Sequence, residues 1–170
     1  MYASDYVGSE TIRKYEIAAE KRYLEAVSLE LNGFDLGAIY LFGYSIEMWI
    51  TAAYFRLRGF IPTRVINAED RNLARASALN HNVVIDREHD LLGWARLLVF
   101  ERRALSAGGR IPTPVSDYPP GFGQKIIDEA SDAYAVWKPG LRYSPHDPEG
   151  SDSIEVNQAA DWFKENYLSM

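Results

Sequence analysis

Apolar and polar positions recur along this chain with the period of an α-helix. Between Ile12 and Asn32 the polar positions Lys14, Lys21, Glu25, Ser28 and Asn32 return every three, four or seven residues, which keeps them on one narrow face. The rest of that segment is apolar on two sides: Ile12, Tyr15, Ala19, Tyr23 and Ala26 on one, Ile17, Leu24, Val27 and Leu31 on the other. Such wide coverage predicts a helix that packs on two surfaces, the second facing either a subunit partner or a larger core. Ser9 is a residue type that caps helix starts and Gly33 one that ends them, so the helix is expected between them.

A second helix is expected from Asp35, as cap, to Gly59. It carries the small residues Gly37, Ala38, Gly43, Ser45, Ala52 and Ala53, which let neighbouring helices approach closely. Pro62 breaks the pattern. A short helix follows from Asn67-Ala68-Glu69-Asp70 to about Asn80, and Val83-Val84-Ile85 forms an apolar link. Another helix begins near His89 and carries Leu91, Leu92, Trp94, Ala95, Leu98, Val99 and Leu105 up to Gly108-Gly109. Residues 108–121 read as a Pro-rich loop, with prolines at 112, 114, 119 and 120. Helix returns from about Gln124 to Trp137. The last helix is expected to start at Asp152-Ser153-Ile154-Glu155, which has the form of a capping box. There is no period-two pattern and no repeat. The expected fold is therefore all-α: one domain over 1–170, an antiparallel up-and-down bundle of four main helices plus one or two extra ones, with an insertion at about 60–88.

Composition narrows the chemistry. The 170 residues contain no cysteine, which removes disulfides, thiolate catalysis and Cys-based metal sites. The formal net charge of −6 argues against a protein that coats duplexes through bulk phosphate contacts. The segment 56–110 is an exception, with ten arginines against six acids. It offers either a local surface for an anionic ligand or arginines lying on solvated helix faces. Met1-Tyr2-Ala3-Ser4-Asp5 lacks the basic and apolar regions of a secretory signal, so a cytoplasmic location is expected. Leu36 to Phe55 is long enough to span a bilayer, but it places Glu47 near its centre. A central acid costs roughly 2.5–3.5 kcal/mol on insertion, so a buried helix is expected instead, with no membrane association.

Of the familiar motifs, neither a phosphate-cradling glycine loop nor a nucleophile elbow occurs, and the three histidines, His81, His89 and His146, show no metal-binding spacing. No metal or cofactor is expected. Glu47 stands out as a lone carboxylate in an apolar helix, which must be paired or neutral. Its candidate partners are Arg142, Arg96 or a tyrosine hydroxyl. It either positions a ligand-binding arginine or acts as a polar peg that sets helix register. A second cluster lies in the loop from Trp137 to Asp147, which gathers Arg142, Tyr143, His146 and Asp147 before the last helix. Arginine can hold a phosphate bidentately and histidine can move protons near neutral pH. Metal-independent RNA cleavage needs that pair, a base for the 2′-hydroxyl and a cation for the phosphorane. A loop tied down by an Arg–Glu bond would use the same residues.

These segments, in this order, resemble the HEPN superfamily of helical domains associated with nucleotides and RNA. Ala18-Ala19-Glu20 through Leu24-Glu25-Ala26, Leu31-Asn32-Gly33-Phe34, and Gly37 to Glu47 are similar to its first helix, glycine turn and small-residue second helix with a common glutamate. His89-Asp90-Leu91-Leu92 is similar to its His-x-Leu element, and Trp137 to Tyr143 to its Trp…Arg-Tyr-Pro stretch. The resemblance implies a four-helix bundle, often a homodimer. Many catalytic members cleave RNA through an arginine and a histidine separated by four to six residues. Here Arg142 and His146 are separated by three. Arg75 and His81 are separated by five but lie in the insertion. The resemblance thus implies a noncatalytic module that binds RNA, a nucleotide or a partner protein through Arg142, Tyr143 and Glu47. The setting would be a toxin–antitoxin system or a pairing with a nucleotidyltransferase-type protein. Its first alternative is an endoribonuclease using Arg142 and His146, its second a purely structural interaction module.

Overall fold

The computed structural model of the chain describes residues 10–85, 89–108, 120–138, 140–141, 148 and 150–170. These residues form six α-helices: α1 (Ile12–Leu31), α2 (Asp35–Leu57), α3 (Ala68–Asn80), α4 (Leu91–Ala107), α5 (Phe122–Val136) and α6 (Gly150–Asn166). A 3₁₀ turn, Tyr167–Ser169, follows α6. The one β feature is an isolated antiparallel bridge between Thr11 and Val65.

The first three helices end alike. After α1 the Gly33 N–H donates to the Glu30 carbonyl and the Phe34 N–H to the Leu29 carbonyl, both at 2.9 Å. This Schellman arrangement needs a left-handed residue, and Gly33 supplies it at φ +76°. Gly59 and Phe60 close α2 on Arg56 and Phe55, and Asn82 and Val83 close α3 on Leu79 and Ala78. Helix starts vary more. Thr11 caps α1 by accepting from the Lys14 N–H, while Ser9 lies outside the described residues. Asn67 and Asp70 form a complete capping box on α3. Asp90 caps α4 by accepting from the Gly93 N–H. Asp35 is the first residue of α2 rather than its cap, and its carboxylate complements the helix dipole there. α6 also departs from expectation. It begins at Gly150, so Asp152 lies inside the first turn and the Asp-x-x-Glu pattern does not mark its cap position.

α2 is the hub. It packs against α1, α6 and α4, and α5 bridges α4 and α6. None of its residues is exposed. The helix is long and apolar enough to cross a membrane, and in the folded chain its neighbours cover it. α1 runs antiparallel to it, as shown by the rings of Tyr23 against Phe42 and Trp49, and by the pairing of Glu16 with Arg56. α6 runs antiparallel to α1, with Asn157 bonded to Glu30, Asp161 to Tyr23, and Lys164 to Glu20. α4 runs parallel to α2: His89, Trp94 and Glu101 meet Glu47, Tyr54 and Arg58 in that order. A strict up-and-down order would reverse α4. α3 lies between α2 and α4 in the chain and stays near the Arg58 end, with Ser77 bonded to Glu101.

Of the two apolar sides expected on α1, one is buried in the core and the other packs within the chain only at Val27. Ile12, Ala19 and Ala26 are buried, while Ile17, Leu24 and Leu31 remain exposed.

Candidate functional site

The side of α2 nearest α4 carries Tyr40, Gly43, Tyr44 and Glu47, spaced at three, four and seven residues. Gly43 is the seat of Trp137. A Cβ added there would lie 2.1 Å from the indole ring, so only glycine allows the contact. The Trp137 Nε1–H donates to the Tyr40 carbonyl at 3.1 Å. Trp137 caps the C-terminus of α5, so this bond fixes the point from which residues 138–148 depart.

Tyr44 stands edge-on to the Trp137 ring at 5.5 Å and to the His89 ring at 5.4 Å. The hydroxyls of Tyr40 and Tyr44 are 3.3 Å apart. His89 precedes the α4 cap residue Asp90, and its Nδ1 lies 2.9 and 3.1 Å from the two oxygens of Glu47. The carboxylate is 12% exposed and the imidazole 39% exposed. Glu47 therefore sits inside and holds a ring that reaches solvent. Neutral imidazole with a proton on Nδ1 donates it to the carboxylate and directs Nε2 away from Glu47; imidazolium makes an ion pair instead. The arrangement can orient a histidine for proton transfer, or place a positive charge beside the Tyr44 ring. Burying a carboxylate here is tolerable because it is paired.

His89 was not among the expected partners of Glu47. The structure gives it His89, and Arg96 lies on the exposed face of α4. Arg142, Tyr143 and His146 lie outside the described residues. The pair is not legible in the sequence because its members are 42 residues apart.

Among the described residues, most arginines of 56–110 bind separate partners. Arg56 binds Glu16, Arg58 binds Glu101 at 3.2 Å, Arg64 binds Asp70 at 2.8 Å, Arg71 binds Glu10, and Arg102 donates to the Met170 carbonyl. These five hold separate parts of the described structure together, while Arg96 and Arg103 are exposed. Arg75 bonds Asn72, and His81 stacks on Phe100 at 5.6 Å. A cleft of about 560 Å³ opens elsewhere, at the α1–α2 turn, between Leu29, Phe34, Asp35 and Pro148. Among the described residues, no group of three or more His, Asp or Glu could hold a metal ion. No protein-family model, curated protein or solved structure matches the chain.

Proposed function

We propose that the chain is an HEPN-like helical module, acting as a homodimer, that binds RNA or a nucleotide without cleaving it. The observation that carries this reading is the contact between Glu47 and His89. Two segments that resemble the same family, far apart in sequence, meet in one half-buried ion pair. Beside the pair stands Tyr44, an aromatic ring suited to stacking on a base, and next to it Trp137, which precedes the Arg142 segment. In this reading Arg142 and protonated His89 hold phosphate oxygens, Tyr143 and Tyr44 flank the base, and Glu47 sets the orientation of His89.

The test uses labelled single-stranded and hairpin RNA in EDTA. Intact RNA with binding weakened at least tenfold by Arg142→Ala and by His89→Ala is the expected result. Glu47→Gln should weaken binding less, since the amide still accepts a hydrogen bond from Nδ1. Cleavage lost in both Arg142→Ala and His146→Ala would replace this reading with an endoribonuclease. Absence of both cleavage and binding, with a lowered melting temperature in Arg142→Ala, would leave a structural interaction module.

A further inference from the structure

The outer face of α4 carries two cations and an aromatic ring on one line. Arg96, Phe100 and Arg103 follow one another at spacings of four and three residues, which keeps them within roughly 60° on one side of the helix. Arg96 and Arg103 are exposed, and neither has an ion pair or hydrogen bond among the described residues. They stand about 10 Å apart along the axis, at about 1.5 Å per residue. Phe100 lies between them, packed against the core and partly open to solvent. The ring of His81, the C-cap residue of α3, stacks on it with centroids 5.6 Å apart and planes inclined by 7°. Ser77, one turn earlier on α3, donates to Glu101 and holds this end of α3 against α4. Past Asp70, the two helices that build the surface contain a single acid, Glu101. It is 5% exposed and accepts from Arg58 and Ser77. On a chain of net charge −6, the line is therefore a local cationic surface.

We propose that the Arg96–Phe100–Arg103 line, with His81 stacked at its centre, is a contact surface for single-stranded RNA. Each guanidinium can hold a phosphate through two parallel N–H groups, and the rings between them offer a platform on which a base stacks. Neither contact reads a base edge, so binding tolerates changes of sequence. A single strand is preferred to a duplex because paired bases keep their faces inside the stack. A carboxylate-rich peptide would meet the arginines but leave the rings without a partner. The surface is separate from the site already described. Trp94 and Glu101, which meet Tyr54 and Arg58 of α2, lie roughly 100–180° round α4 from the line, so it is turned away from α2 and Glu47. It stands whether or not the Glu47–His89 pair holds a ligand.

The test titrates labelled oligouridine and a fully paired RNA duplex with the full chain, in EDTA and at several salt concentrations. The parent chain should bind oligouridine more tightly than the duplex. Arg96→Ala combined with Arg103→Ala should weaken that binding about tenfold. It should also lower the slope of log affinity against log salt by about 1.4, the value for two phosphate contacts to a single strand at about 0.7 each. Phe100→Leu, which keeps an apolar side chain against the core, should weaken binding about fivefold and leave the salt slope unchanged. Thermal unfolding of the double variant should match the parent, since neither guanidinium has a partner among the described residues to lose. Parent-like affinity and salt slope in the double variant would overturn the surface, as would a duplex that binds as tightly as oligouridine. Polyglutamate that displaces the label as readily as unlabelled oligouridine does would overturn it in favour of an acidic protein partner. His89→Ala separates this surface from the preceding reading. The same slope difference measured in a His89→Ala background supports the surface even where His89→Ala itself binds like the parent and the preceding reading fails. Loss of all oligouridine binding on His89→Ala alone would overturn the surface and leave the RNA at the Glu47–His89 pair.

Discussion

α2 and α3 follow each other in the chain and are held by different forces. Along α2 the contacts are rings and small residues: Tyr23 against Phe42 and Trp49, Trp49 stacked on Tyr167, and Tyr54 and Phe55 against Trp94. Along α3 they are bonds between polar groups: the Asn67–Asp70 capping box, Arg64 on Asp70, Arg71 on Glu10 and Tyr15, and Ser77 on Glu101. α3 buries Ala74 and Ala78 but leaves Leu73 and Leu79 in solvent. Apolar burial is cooperative across a core, whereas an exposed ion pair contributes at most about 1 kcal/mol. The comparison therefore teaches where the chain unfolds as a whole and where it opens locally.

The sharpest way to break the comparison is at Trp49. Trp49→Ala should destabilise the whole chain by about 3–5 kcal/mol, measured by urea unfolding. Gly43→Ala should come close behind, at about 3 kcal/mol, because its Cβ overlaps the Trp137 ring. On the other side of the comparison, Asp70→Ala removes half of the capping box and the partner of Arg64. About 1–2 kcal/mol is expected, seen as roughly tenfold faster amide exchange confined to α3. Global unfolding of Asp70→Ala at the cost seen for Trp49→Ala would show that α3 is part of the core.

Two titrations sharpen the picture further. Burial of the Tyr54 hydroxyl pushes its pKa up to about 12 from an ordinary 10. The unfolded chain then loses this proton first. The stability held below pH 10 should fall as pH rises to 12, and Tyr54→Phe should flatten that slope in thermal melts. The smallest effect is expected at Glu30. Burial raises its pKa, partly offset by the bond from Asn157. A raised value stabilises the folded chain below the ordinary glutamate range, about pH 4, and that contribution is lost on going to neutral pH. Glu30→Gln should therefore be slightly more stable than the parent at pH 7, with the difference vanishing on acidification.

Local signals were legible in the sequence wherever the physics is local. Gly33 and Gly59 mark helix ends because the Schellman turn needs a left-handed residue, and Asn67 with Asp70 marks a start because both partners of the capping box are three residues apart. The polar strip of α1 reads correctly: Lys14, Lys21, Glu25, Ser28 and Asn32 are all exposed. What was not legible depends on distance along the chain. The need of Glu47 for a partner follows from its apolar surroundings, but the choice of His89 depends on where α4 packs against α2. The sequence also cannot distinguish an apolar face covered by its own core from one left open, so Ile17, Leu24 and Leu31 looked like buried residues. The start of α6 was misplaced because Asp152 and Glu155 match a capping pattern while Gly150 already begins the helix.

The parallel direction of α2 and α4 also sets an order of assembly. The α1–α2 hairpin closes through a turn of only three residues, whereas His89 can reach Glu47 only after the long connector has been looped shut. Refolding should complete the hairpin first and create the carboxylate–imidazole contact late. Slow-folding variants would thus accumulate a helical intermediate that lacks the ligand site.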